Sequence, residues 1–310
     1  MNNRLIIPGT EDFFCENECK MTLFMDERKD IGEKKNWYYI GILYLPTERV
    51  GSFRKRLSEL RRKSTFRREM KFSELKCTSS QQMKLASSWV DLFLRLNENH
   101  REKAAFTAFG IDFPKLDFSA FGEGAARNGK YATIYGRLLR SVIKGMAGRY
   151  SKDNWNLIIK DIYHDNEGQL QVSYWFDHQV ISMTERELFE EAGISCKFLC
   201  DHVTFIDSAR DPENDIAMSE VIQFVDLILG IISHSYDPTI KLNKQKQRAR
   251  DDLARIMYRY LNQSDQEKYA PLKDICFFPK SVISSEDADV KPRFYRRQPD
   301  RAVFGNQRLF

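Results

Sequence analysis

Apolar residues fall along this chain in short blocks whose spacing switches between the two-residue period of strands and the three-to-four-residue period of helices. Residues 21–26 (MTLFMD) form an apolar run of strand length. A charged turn with Gly32 follows, then residues 37–45 (WYYIGILYL), rich in aromatic and branched side chains and stopped by Pro46. Two such runs across a glycine-containing turn predict an antiparallel hairpin. Residues 49–64 carry Val50, Phe53, Leu57 and Leu60 at helical spacing, EMKFSELK around Glu69 reads as a short extended piece, and 79–97 is a predicted helix capped by Ser79 or Ser80.

Further along, 103–113 (KAAFTAFGIDF) and 156–163 (NLIIKDIY) read as strands, 131–147 and most of 169–191 as helices, and 195–207 as strand residues ending in VTFID. Residues 215–233 form a strongly apolar helix and 244–261 a basic amphipathic one. Beyond about residue 266 no regular period is visible until a basic tail. A hairpin followed by strands alternating with helices predicts an α/β fold with a mixed sheet flanked by helices. Residues 1–240 would be its core, and 241–310 a basic helical and tail extension.

Composition narrows the class. With 42% hydrophobic and 30% charged residues in 310, the chain is globular rather than disordered. No stretch reaches the roughly 18 uncharged apolar residues of a membrane span, so a cytoplasmic protein without membrane contact is expected. Six scattered cysteines are too few for a disulfide scaffold, and their C-x3-C spacings (Cys15/Cys19, Cys196/Cys200) read as small buried side chains rather than a zinc knuckle.

The net charge of +5 says less than its distribution. Residues 49–71 hold ten basic residues against two acidic ones, and 291–310 hold six against one, interleaved with Phe294, Tyr295, Phe304 and Phe310. Cations neutralise phosphates and rings stack on bases. Arg54, Lys55, Arg61, Arg62, Arg67, Arg296 and Arg297 are therefore candidate nucleic-acid contacts; a solvated helix face and a tail are the plainer alternative.

Candidate chemistry is acidic. Three apolar strands each deliver an aspartate: Asp26, Asp161 and Asp207. Strand ends present polar groups to clefts, although aspartate is also a favoured turn and cap residue. In DIAMSEVIQFVDLILGIIS, the polar or small residues Ser219, Gln223, Asp226 and Gly230 lie four, three and four apart, on one stripe of an otherwise apolar helix, with Glu220 beside it. A carboxylate there needs a metal ion or a basic partner, or its pKa must rise. Glu69 and Lys71, two apart in extended chain, share a side. His164, between Asp161 and Asp165, either orients a water or occupies a turn. Walker, G-x-S-x-G, G-x-G-x-x-G and H-E-x-x-H patterns are absent.

Asp26-Glu27, Glu69-Met70-Lys71-Phe72, Phe205-Ile206-Asp207-Ser208 and Gln223-Phe224-Val225-Asp226-Leu227 occur in this order over roughly residues 21–235. In this the chain resembles the RNase H-like family known as domain of unknown function 3800. In that family the first motif continues as Ser-Gly; here Arg28-Lys29 follow. The resemblance implies an RNase H-like sheet and a metal-dependent nuclease, in settings of prokaryotic phage or mobile-element defence. Asp26, Glu69 and Asp226 would be the primary ligands of Mg²⁺ or Mn²⁺ in a two-metal hydrolysis, with Asp161 and Asp207 next. Lys71 would bind the scissile phosphate, and Gln223 and Ser208 would support the site. The alternatives are a non-catalytic module that binds nucleic acid or a protein partner in a defence complex, and a strand-transfer enzyme.

Overall fold

Seven strands form one mixed sheet, and its first strand lies near the middle. The structure, a computed structural model, describes residues 17–32, 35–97, 104–116, 127–152, 155–166, 176–208, 218–238, 243–262, 272–278, 280, 296–300 and 303. Cys15 and the tail aromatics Phe294, Tyr295, Phe304 and Phe310 lie outside these residues.

The predicted hairpin is β1 (Asn17–Gly32) and β2 (Lys35–Pro46), antiparallel, with Asp26 opposite Gly41. Helices α1 (Val50–Ser64) and α2 (Ser80–Leu94) intervene before β3 (Ala105–Asp112), which pairs antiparallel with β2. Then come α3 (Arg127–Lys152) and β4 (Trp155–Asp165), and β4 runs parallel to β1 on its other side. A π turn (His178–Ser182) leads into α4 (Met183–Ala192). The short strands β5 (Cys196–Phe198) and β6 (Thr204–Ile206) both lie parallel to β4, one after the other along its length. The chain continues through α5 (Ser219–Tyr236), α6 (Lys244–Asn262) and β7 (Leu272–Phe278). β7 joins the far edge parallel to β3, giving the order β5-β4-β1-β2-β3-β7 with β6 beside β4.

Two cores cover the two faces of the sheet. Successive strand residues point to opposite faces. Met21, Leu23 and Met25 therefore pack with Leu138, Val142 and Leu188 of α3 and α4, while Phe24 packs with Phe53, Trp89, Phe224 and Leu253 of α1, α2, α5 and α6. β1 is buried on both sides, which is why it reads as a continuous apolar run. Helix α5 presses close: a Cβ on Gly41 would lie 2.9 Å from Phe106 and 3.1 Å from Leu229. Among the described residues no helix is long and apolar enough to cross a membrane.

The segment expected to be an extension contributes to the same sheet and core. β7 escaped the sequence pattern because its apolar part, Ile275-Cys276-Phe277-Phe278, is short and packs on both faces, leaving no alternation. Residues 296–300 strap the end of α5. Arg297 donates to both oxygens of Asp237 at 2.9 and 3.1 Å, its guanidinium lies 4.6 Å from the Trp37 ring centre and 4.9 Å from that of Phe277, and Asp300 N–H donates to the Ser235 carbonyl at 2.7 Å. The Tyr39 hydroxyl also donates to Asp237. Arg297, expected on nucleic acid, is thus a clamp holding the tail to the helix; Arg296 beside it is exposed.

Candidate functional site

Helix α5 enters the protein almost wholly buried. Of its residues 219–236 every one except Asp226 is buried. Its polar stripe grips an extended piece of chain between α1 and α2. Gln223 Oε1 accepts from Met70 N–H at 2.9 Å, and Asp226 Oδ2 accepts from Phe72 N–H at 2.8 Å. Two amides two residues apart are thereby held by two side chains three apart, one helical turn matched to one strand repeat. Both ends of the Gln223 amide are engaged: Oε1 also accepts from Arg61 at 2.7 Å, and Nε2 donates to the Ser208 carbonyl at 2.8 Å. One turn further on, Gly230 lets the base of Phe72 lie where a Cβ would stand. The spacing of Gln223, Asp226 and Gly230 exists to seat residues 70–72.

Seating that segment brings Glu69 and Lys71 to the same side, as their spacing predicts. Lys71 Nζ lies 2.9 Å from Glu69 Oε2, and this bond holds the ammonium above its ordinary range. Ser208, just past β6, donates its hydroxyl to Glu69 at 3.3 Å and its N–H to Asp165 at 3.3 Å. Asp165 ends β4, next to Asp26 on β1 and on the same face, one pair beyond Met25–His164.

Asp26 is 5% exposed. Its only hydrogen bond among the described residues comes from the neighbouring Glu27 amide, at 2.7 Å. Burial, then the charges of Asp226 and Asp165, push its carboxyl well above the usual range. Asp226 is also raised, mainly by burial and further by Asp165 and Glu69; Arg28 and the Phe72 amide oppose the rise. Four carboxylates from distant parts of the chain thus act on one another at one end of the sheet.

Other expected residues go elsewhere. Asp161 sits level with Thr22, four residues back from Asp165 along β4, or about 13 Å. Its charge adds to the burial that raises Tyr163 and Cys200, so it acts away from this group. Asp207 is exposed, and it is Ser208 that turns inward. Arg61, expected on nucleic acid, is 4% exposed and bonds Glu220 at 2.5 Å and the Arg68 carbonyl at 2.7 Å while lying 5.1 Å over Trp89. Arg54 is half-buried, and Lys55, Arg62 and Arg67 are exposed. His164 is fully buried on the opposite face, where its Nδ1 is 2.7 Å from the Asp165 carbonyl and Tyr135 Oη is 2.6 Å from Nε2. A carbonyl only accepts, so Nδ1 donates to it, while Nε2 is taken up by the Tyr135 hydroxyl. That leaves no role for His164 in orienting a water. Burial lifts Cys196 to about 12 and Cys200 to about 11, so neither is a ready thiolate nucleophile at neutral pH.

No protein-family model matches the chain, and no curated protein does either. The site therefore stands on its own geometry. Among the described residues no three Asp, Glu, His or Cys side chains converge into a ready metal cage. The donor chemistry nevertheless fits a hard divalent cation, because every donor is a carboxylate oxygen and the buried Asp26 has no cation paired with it among the described residues.

The raised carboxyls predict an unusual pH profile. A carboxyl that binds its proton more tightly folded than unfolded contributes stability at low pH and loses it as pH rises from about 4 through the raised value. In chelator, the protein is expected to melt at higher temperature at pH 5 than at pH 8. Asp26→Asn should flatten that slope and stabilise the metal-free protein at pH 8 by roughly 1–3 kcal/mol, the scale of an uncompensated buried polar group. A less stable Asp26→Asn at pH 8 would contradict the charge strain described for Asp26.

Proposed function

We propose that this protein is a metal-dependent phosphodiester hydrolase built on an RNase H-like core and acting on nucleic acid. One observation carries the reading. The charges of Asp26, Asp165, Asp226 and Glu69 act on one another at one sheet end, and the first is buried without a counter-charge among the described residues. A first strand placed mid-sheet, with its hairpin partner on one side and a parallel strand on the other, supports the RNase H-like assignment that the sequence resemblance implies.

Asp26 and Asp226 would hold Mg²⁺ or Mn²⁺, with Asp165 and Glu69 adding negative charge around it. When bound, such an ion polarises a phosphoryl oxygen and lowers the pKa of its water. Lys71, 43% exposed and held by Glu69, is placed to take a phosphate oxygen. Gln223 and Ser208 fix the segment that carries both residues. Lys55, Arg62 and Arg67 offer an exposed basic surface on α1 and just after it for the backbone of the substrate.

Mn²⁺ at about 100 times its dissociation constant should stabilise the wild type by roughly 2.7 kcal/mol. That thermal shift should vanish in Asp26→Ala and Asp226→Ala, together with cleavage of single- and double-stranded DNA and RNA substrates. A shift without cleavage of any of these, alongside retained nucleic-acid binding, would make the chain a binding subunit. Joined strands among the products would make it a strand-transfer enzyme. No shift at all would defeat the metal assignment.

A further inference from the structure

Position 28 follows the first aspartate of the site on the same face of β1, two residues or about 7 Å along the strand. It holds an arginine. The Arg28 guanidinium lies 4.7 Å from the centre of the Phe72 ring, and the amide of the same Phe72 donates to Asp226. A ring face in that position holds a cation by its quadrupole. Phe72 is itself fixed, since it is wholly buried and seated on Gly230. Arg250 also lies 4.8 Å from the same ring, but it is 3% exposed and its guanidinium donates to the Ser73 carbonyl at 3.0 Å. Arg28 is only half-buried, so it is the arginine on this ring that a ligand can reach.

Four carboxylates stand on the Asp26 face of the sheet, at Asp26, Asp165, Asp226 and Glu69; Glu27, which also raises Asp26, lies toward His164 on the other face. Lys71 is bound to Glu69, and Arg28 is the cation that acts most strongly on Asp226. Two negative charges remain, the complement of one divalent ion. Asp26, 5% exposed and bonded only to a backbone amide among the described residues, is the carboxylate that would hold that ion.

We propose that Arg28 is a built-in second cation of this site, so that the carboxylates take up one divalent metal ion per chain and the guanidinium supplies the other positive charge to the scissile phosphate. This rests on the metal-dependent reading above and replaces the two ions expected from the sequence with one. Arginine suits the role because it stays protonated and presents paired N–H donors to two phosphate oxygens.

Mn²⁺ binding to the metal-free full-length protein tests it, with free Mn²⁺ counted by electron paramagnetic resonance. The wild type should bind one ion per chain. Arg28→Gln removes a repelling charge, so it should bind the first ion on the order of tenfold more tightly or gain a second one, while losing cleavage. Arg28→Lys keeps the charge and should keep the single ion at near wild-type affinity. Tighter metal binding with poorer catalysis is not a pattern that a merely structural arginine would give. Two ions bound to the wild type, or an unchanged affinity in Arg28→Gln, would overturn the proposal and leave the nuclease reading intact. A wild type that binds no Mn²⁺ would overturn both.

Discussion

Arg61→Ala is expected to cost about 3–5 kcal/mol of folding stability, the scale for stranding one member of a buried ion pair. Arg61 and Glu220 are each 5% exposed at the side chain and 2.5 Å apart. With the guanidinium gone, Glu220 keeps only the hydroxyl of Ser58 as a donor among its described contacts, and Gln223 Oε1 and the Arg68 carbonyl each lose a donor. The helix that carries Glu220 cannot turn the charge out to water, because its neighbours on every side are core residues. Urea unfolding should show a lower midpoint at an unchanged slope. Replacing both partners, as Arg61→Met with Glu220→Met, should recover most of the loss, since a well-packed apolar pair removes both desolvation costs. Exposed Arg62 gives the contrast: its alanine variant should stay within about 0.5 kcal/mol of wild type while weakening nucleic-acid binding. An Arg61→Ala protein of wild-type stability would return Arg61 to the surface role first expected of it.

Arg61 shows where sequence reading fails. In the run 54–68 the arginines and lysines look alike, and only the fold decides that one faces Glu220 and Trp89 while the next faces solvent. What the sequence makes legible is periodicity. The hairpin, the apolar α5 and its stripe of Gln223, Asp226 and Gly230 all appear where the pattern puts them, because burial of one face leaves a mark on spacing. Strand ends are marked less well. The unbroken apolar run of β4 stops at Ile159 and the predicted strand at Tyr163, which leaves Asp165 outside it. The strand continues to Asp165 because Tyr163 stacks on Phe24 at 5.3 Å on one face and His164 is buried on the other. Aligning MTLFMD beside DIYHD as parallel neighbours would have shown Asp165, not Asp161, level with Asp26. Nothing local marks Arg28, whose role depends on a ring 44 residues away in sequence.

The site also depends on a residue with no chemistry. Gly230→Ala substitutes the best helix former for a poor one inside α5, and propensity alone predicts a gain of about 1 kcal/mol. The expected result is a net loss of roughly 3 kcal/mol, the range of overpacking a dense core or expelling a phenylalanine. A Cβ there would stand 2.2 Å from Phe72 Cγ, 2.5 Å from Cδ1 and 2.6 Å from Cβ. These are the base of the side chain rather than its free end, so no rotation relieves the clash and the backbone of residues 70–72 must lift. Phe72 N–H would then leave Asp226, and Arg28 would lose its ring, so Mn²⁺ binding should weaken even in the fraction that folds. Phe72→Ala in the same chain makes room, and the pair should be less destabilised than the sum of the two single changes by 1 kcal/mol or more. Gly145 in α3 is the control: a Cβ there meets nothing within 4 Å, so Gly145→Ala should stabilise by about 0.5–1 kcal/mol. If both glycine variants gained stability alike, Phe72 would not be seated on Gly230, and the link from α5 through residues 70–72 to the carboxylates would have to be drawn differently.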